Sequence, residues 1–99
     1  MTPEEFRVAG HRLIDWVADL RATVESRPVL AQVTPGEVRA GFPAGPPIGT
    51  ASLEQLLDHL DQVIVPGDTQ VQHPMHFGWF PANVALSSLL GDLAAGGLG

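Results

Sequence analysis

Apolar positions at Phe6, Ala9, Leu13, Trp16, Val17, Leu20 and Val24 recur in steps of three and four, which is the spacing of one helix face. Arg7, Arg12, Asp15, Asp19 and Arg21 fall on the opposite face. Thr2-Pro3-Glu4-Glu5 supplies a start signal: a capping Thr, a Pro suited to the first turn, and a Glu three residues on to close a capping box. The pattern predicts a helix over about 3–26, ended by Pro28. A second stripe, Leu53, Leu56, Leu57, Leu60, Val63 and Ile64, predicts a helix over 52–64. Ser52 and Gln55 form its capping box, Thr50 is a rival cap, and Pro66-Gly67 is its stop. A third segment over 83–97 carries Leu86, Leu89, Leu90 and Leu93, with Asp92 as its one charge and Asn83 as a plausible cap. A helix apolar on nearly every side is one that expects to be covered.

Between these lie two irregular stretches. Residues 27–50 hold five Pro and four Gly in 24 positions, so no helix is expected there and strands could only be short. Val29, Leu30, Val33, Val38, Phe42 and Ile48 are nevertheless spaced through it, where a solvated linker would carry Ser, Glu and Lys. This favours an extended strap lying on a surface over a flexible linker. Residues 66–83 form a loop dense in His and aromatic side chains.

Composition narrows the function. The chain has 99 residues and a formal charge of −6, which argues against nucleic-acid binding. It has no Cys and no Lys, so it offers neither a disulfide nor a lysine for covalent cofactor attachment or general-base work. Gly and Pro make up a fifth of the residues, yet 44% are apolar, more than so short and interrupted a chain can bury by itself. No apolar run is long enough to span a membrane, and the acidic, polar start does not read as a secretory signal, so the expected location is the cytoplasm.

Two groups in the loop could carry chemistry. His73 and His76 are three apart, but Pro74 breaks any helix between them, and a metal site needs more ligands than this stretch supplies. They read better as polar groups at the edge of a cleft or facing solvent. Phe77-Gly78-Trp79-Phe80-Pro81 is either a plug that seats the loop on its own core or a wall of a small-molecule pocket, and the residue pattern leaves both open. No nucleophile with its base, no paired catalytic carboxylates and no phosphate-cradling Gly pattern occurs.

The motifs together resemble one family. Glu5-Phe6-Arg7, Gly10 and Ile14-Asp15-Trp16-Val17-Ala18-Asp19 resemble the first helix of the group II pyridoxal-phosphate-dependent amino-acid decarboxylases, typified by aromatic-L-amino-acid decarboxylase. Arg27-Pro28-Val29, Val33-Thr34-Pro35-Gly36 and Val38-Arg39 match the strap of that family. Pro66-Gly67, Thr69, His73-Pro74 and Phe77 through Asn83 match its cleft loop, and Leu90-Gly91-Asp92-Leu93 with Leu98-Gly99 matches the helix that follows. The cleft-loop and Leu-Gly-Asp-Leu motifs are the specific ones.

The resemblance implies a mainly α segment, three helices joined by a Pro/Gly-rich strap and an aromatic loop, at the N-terminus of a fold-type I enzyme. It implies that the catalytic domain, which binds pyridoxal 5'-phosphate and carries the lysine, lies outside this chain, and that the chain alone is inactive. Its partners would be that large domain and a second subunit of a homodimer, with no nucleic acid and no membrane. The activity implied is conversion of an L-amino acid, with an aromatic one favoured, to its amine and CO2. By position in the family motif, Val71, Trp79, Phe80, Pro81 and Ala82 would line the substrate side-chain pocket. Members acting on catechol or phenol rings often carry Trp at the position of Val71 and Thr at that of Ala82, so phenylalanine, tryptophan or a less usual amino acid become substrates comparable with a dihydroxyphenyl one. A free-standing interaction module, and an enzyme that oxidises or deaminates while decarboxylating, are the competing readings.

Overall fold

A computed structural model describes residues 1–79 and 85–99. Its first helix, α1 (Pro3–Ala22), starts as the sequence predicts: the Glu5 N–H donates to Thr2 Oγ1 at 3.1 Å and the Thr2 N–H donates to Glu5 Oε2 at 2.6 Å. It ends earlier than 26. Thr23 Oγ1 donates back to the Asp19 carbonyl at 2.8 Å, a bond that competes with helix propagation, and Val24–Ser26 tighten into a single 3₁₀ turn. Arg27 then takes the extended conformation that a following Pro requires.

The strap departs from expectation by one turn of helix, α2 (Glu37–Ala40). Its Pro and Gly count hides a local closure. Thr34 donates to Glu37 Oε2 from both its N–H, at 2.8 Å, and its hydroxyl, at 3.0 Å, and Gly36 turns the chain at φ 87°. These bonds, the backbone one first, hold the Glu37 carboxyl below the ordinary value of 4.5. The closure is therefore fully present above 4.5 and is lost as pH falls through the lowered folded value. NMR titration of the Glu37 side chain is expected to give a midpoint below that of an exposed Glu, and a midpoint at or above it would show that the closure is not populated.

The strap lies against the second helical stretch at several points. A Cβ on Gly67 would stand 2.5 Å from Val38 Cγ2, and one on Gly41 would stand 2.7 Å from Val63 Cγ1, so both glycines sit where a neighbouring side chain meets backbone. Phe42 packs edge-on against His59 with ring centroids 4.9 Å apart.

Ser52, not Thr50, caps α3 (Leu53–His59): the Gln55 N–H donates to Ser52 Oγ at 3.2 Å and the Ser52 N–H donates to Gln55 Oε1 at 2.9 Å. The helix also runs past its expected stop at 64. A π-turn, Leu60–Ile64, leads into α4 (Val65–Gly67), which contains Pro66. Widening the helix just before Pro66 moves the preceding carbonyls away from the proline ring, which lets the chain stay helical for one more turn.

Side-chain links from Arg12 and Trp16 tie α1 to this stretch. Arg12 makes a two-pronged pair with Glu54 at 3.1 and 3.3 Å, and Trp16 Nε1–H donates to Asp61 Oδ1 at 3.0 Å. The Arg12 pair is exposed and contributes little to stability.

The third long helix, α5 (Leu86–Gly97), begins three residues later than the predicted 83. Ala85 holds the cap position without a side-chain bond, and the expected cap Asn83 lies outside the described residues. Among the described residues there are helices, turns and irregular chain but no strand, so the fold is mainly α. No described helix is long and apolar enough to cross a membrane.

The core is thin. Leu57, 3% exposed, and Val65, 7% exposed, are the buried apolar side chains among the described residues. The surface is 7834 Å², against about 5,400 Å² for a monomeric globule of this mass. The radius of gyration is 15.7 Å, against about 12.6 Å for a compact domain of this length.

Candidate substrate-cleft loop

The loop that follows α4 is built by short-range bonds and tied down at two distant points. Gln70 is the first tie. Its N–H donates to the Val29 carbonyl at 2.8 Å, and its side-chain amide reaches back to the Val65 carbonyl at 3.2 Å. The Val71 N–H bonds to the Thr69 carbonyl at 2.8 Å and the His73 N–H to the Gln70 carbonyl at 2.9 Å, coiling the chain over 69–73. A turn over 73–76 is closed by the His76 N–H on the His73 carbonyl at 2.9 Å.

His73 is the second tie. Its Nε2 stands 3.3 Å from the Glu25 carbonyl beyond the end of α1, and its Nδ1 accepts from the Met75 N–H at 3.0 Å. His76 and Trp79 meet edge to face, with centroids 5.8 Å apart. Gly78 makes that approach possible, because a Cβ there would stand 3.1 Å from His76 Nε2. The two histidines thus do different work, one stapling the loop and one supporting an aromatic ring.

Of the five expected pocket residues, Val71 is half-buried within the coil and Trp79 projects outward, 67% exposed. Phe80, Pro81 and Ala82 lie outside the described residues. Phe77 and Met75 are also exposed, so among the described residues the loop presents an apolar, aromatic surface. Among the described residues, two of the grooves that lie elsewhere flank the strap and α1. One of about 360 Å³ runs between the strap and α4, lined by Arg27, Leu30, Val33, Glu37, Val65 and Gln70. Arg27 Nε is buried there without a hydrogen-bond partner. The other, about 340 Å³ and almost wholly apolar, runs between α1 and α5 and is lined by residues that include Leu13, Ile14, Val17, Leu86, Leu90 and Leu93.

Sequence reasoning did not foresee the roles of Gln70 and His73. Their partners, Val29 and Glu25, are far along the chain and take part through backbone carbonyls, which leave no mark in a residue pattern.

This arrangement of capped helices, strap and outward-facing aromatic loop is that of the N-terminal region of pyridoxal-phosphate-dependent decarboxylases. The chain superposes on Catharanthus roseus tryptophan decarboxylase, solved in complex with L-tryptophan, with a TM-score of 0.90 and 34% identity over 99% of this chain and 21% of that one. Rhodiola rosea 4-hydroxyphenylacetaldehyde synthase matches with a TM-score of 0.92 and 33% identity over the same shares.

Over nearly its whole length the chain is similar to plant aromatic amino-acid decarboxylases. It is 38% identical over 97 residues to tyrosine decarboxylase 2 of Narcissus pseudonarcissus, covering 98% of this chain and 19% of that enzyme. It is 37% identical over 99 residues to phenylacetaldehyde synthase of Arabidopsis thaliana, covering all of this chain and 20% of that enzyme. The chain therefore spans about a fifth of the length of the curated relatives it matches. No protein-family model matches it.

Proposed function

We propose that this chain serves as the N-terminal part of a pyridoxal 5'-phosphate-dependent carboxy-lyase that converts an aromatic L-amino acid to its amine and CO2. The observation that carries this reading is the match of the whole chain, in sequence and in backbone, to a tryptophan decarboxylase solved with its amino acid bound. Oryza sativa tryptophan decarboxylase, solved with pyridoxal phosphate, matches with a TM-score of 0.90. The relatives named are all enzymes, which favours this reading over a stand-alone interaction module.

The chain is not built to hold the cofactor. It has no Lys to form the cofactor's covalent link. When bound by the rest of the protein, pyridoxal phosphate supplies an electron sink for the pair left behind as the carboxylate departs.

This chain's part is binding and exclusion of water. Val71, Trp79, Phe80, Pro81 and Ala82 form one wall of the substrate side-chain pocket. An aromatic wall holds a flat ring by burial and by edge or offset contact. The exposed stripes of α1 and α5 meet the large domain and the second subunit of a cytoplasmic homodimer.

Val71 offers no broad flat surface and Ala82 no hydroxyl to bond a ring oxygen, so the pocket accepts rings with and without hydroxyls alike. The complete, cofactor-loaded enzyme is expected to show similar kcat/KM for L-phenylalanine and L-dihydroxyphenylalanine. A preference of about 10³-fold for the hydroxylated ring, within reach of a site that bonds it, would sink this substrate assignment. Similarity to two aldehyde synthases supports a second reading, in which decarboxylation is coupled to two-electron oxidation by dioxygen, with water releasing the nitrogen as ammonia and leaving the aldehyde and hydrogen peroxide. Product analysis separates the two: an amine with no aldehyde and no ammonia supports the simple decarboxylase, and stoichiometric aldehyde supports the other.

A further inference from the structure

We propose that His73 is a positioning residue: its Nε2 ties the cleft loop to the turn that follows α1, its Nδ1 closes the loop's own turn, and together they set where Trp79 stands at the pocket wall. The assignment of a pocket wall rests on the decarboxylase reading above. The staple itself rests on geometry alone.

The hydrogen bonds settle how the ring is used. The Met75 N–H points at Nδ1 from 3.0 Å, so Nδ1 is the acceptor and carries no hydrogen. The ring hydrogen is then on Nε2, which donates to the Glu25 carbonyl at 3.3 Å. Neutral His73 in this one tautomer satisfies both neighbours. Pro74 has no N–H, so the first amide available to a side chain at 73 is that of Met75, the i to i+2 relation in which Asn and Asp close turns. His73 makes that turn with its near nitrogen and has a second nitrogen left over for a remote carbonyl, which an Asn cannot reach.

The consequence travels a short distance. The 73–76 turn fixes His76, whose N–H bonds the His73 carbonyl at 2.9 Å, and the His76 ring stands against Trp79. Between Gln70 and Trp79, the bond to Glu25 is a remote anchor, made to the turn that follows α1. Without it, the 73–76 turn loses that tie and keeps its own short-range bonds.

The test uses the complete enzyme and the variants His73→Ala, His73→Asn and His73→Gln. Asn places an acceptor near Nδ1 and Gln places a donor near Nε2, so each retains one end of the staple. Hydrogen exchange read by mass spectrometry on peptides covering 69–79 is expected to quicken about tenfold in His73→Ala, the loss expected for one or two hydrogen bonds, with α3 unchanged. KM for an aromatic amino acid is expected to rise about five- to tenfold with kcat within about twofold, as for a group that places a binding wall. Asn and Gln are expected to fall between wild type and Ala in both readouts. Wild-type exchange in His73→Ala, full recovery with Asn alone, or equal loss in all three variants with a matching fall in Tm would each overturn the proposal. If the unmutated enzyme shows no decarboxylation while the exchange pattern holds, the functional reading fails and the staple stands.

Discussion

The 99 residues expressed alone are expected to show no cooperative thermal transition as a monomer. The reason lies in what is covered. Two apolar side chains are buried among the described residues, while Phe6, Leu86, Leu90 and Leu93 are each more than half exposed. A fully buried Leu or Val contributes about 1.5–3 kcal/mol, whereas ordering one residue of backbone costs about 1–2 kcal/mol. A core of two cannot offset the ordering of the whole chain. The helices should form in part, because α1 and α3 each carry a complete capping box, and caps act locally. Circular dichroism is expected to show helix that melts gradually, with binding of a hydrophobic dye in the native buffer. A sharp calorimetric transition from a species that sediments as a monomer would show that the segment is self-sufficient.

What the sequence reveals follows the range of each interaction. The two capping boxes and the apolar stripes of α1 and α3 are readable because every partner lies within four residues. The turn at Glu37–Ala40 is equally local, but a count of Pro and Gly conceals it; the closure depends on Thr34 and Glu37 in particular, not on composition. The passage through Pro66 is not readable at all, since a π-turn has no residue signature that distinguishes it from an ordinary helix stop.

The candidate site divides in the same way. Trp79 and Val71 can be placed on the loop by motif, yet nothing local shows that they face a substrate: among the described residues Trp79 stands 67% exposed. Resemblance supplied what pattern could not. The staple at His73 joins residues 48 positions apart and uses a backbone carbonyl, so only coordinates disclose it. The excess of apolar surface, by contrast, is legible from the start: a chain that is 44% apolar with a fifth of its residues Gly or Pro has more to cover than it can cover, and the exposed faces of α1 and α5 are where that surplus sits.

That surplus yields the sharpest test of assembly. Leu90→Asp in the complete protein is expected to abolish the proposed homodimer. Leu90 lies in the groove between α1 and α5, facing Leu13, Ile14 and Val17 across it, and the groove is almost wholly apolar. A carboxylate covered there would find no partner among those side chains, and an unpaired buried charge costs several kcal/mol. Each 1.4 kcal/mol is a tenfold loss of association, so a dimer that holds at micromolar concentration should dissociate at least a hundredfold more readily. Ser88→Asp is the control. It lies on the helix face shared with Asp92, four residues on, where a second carboxylate costs only a few tenths of a kcal/mol. Sedimentation velocity is expected to show a monomer, or aggregate, for Leu90→Asp and an unchanged dimer for Ser88→Asp. An intact Leu90→Asp dimer with a lowered Tm would place the chain's own large domain over the groove in place of the second subunit. An intact dimer with an unchanged Tm would show that nothing covers it, and the surplus apolar surface would then need another explanation.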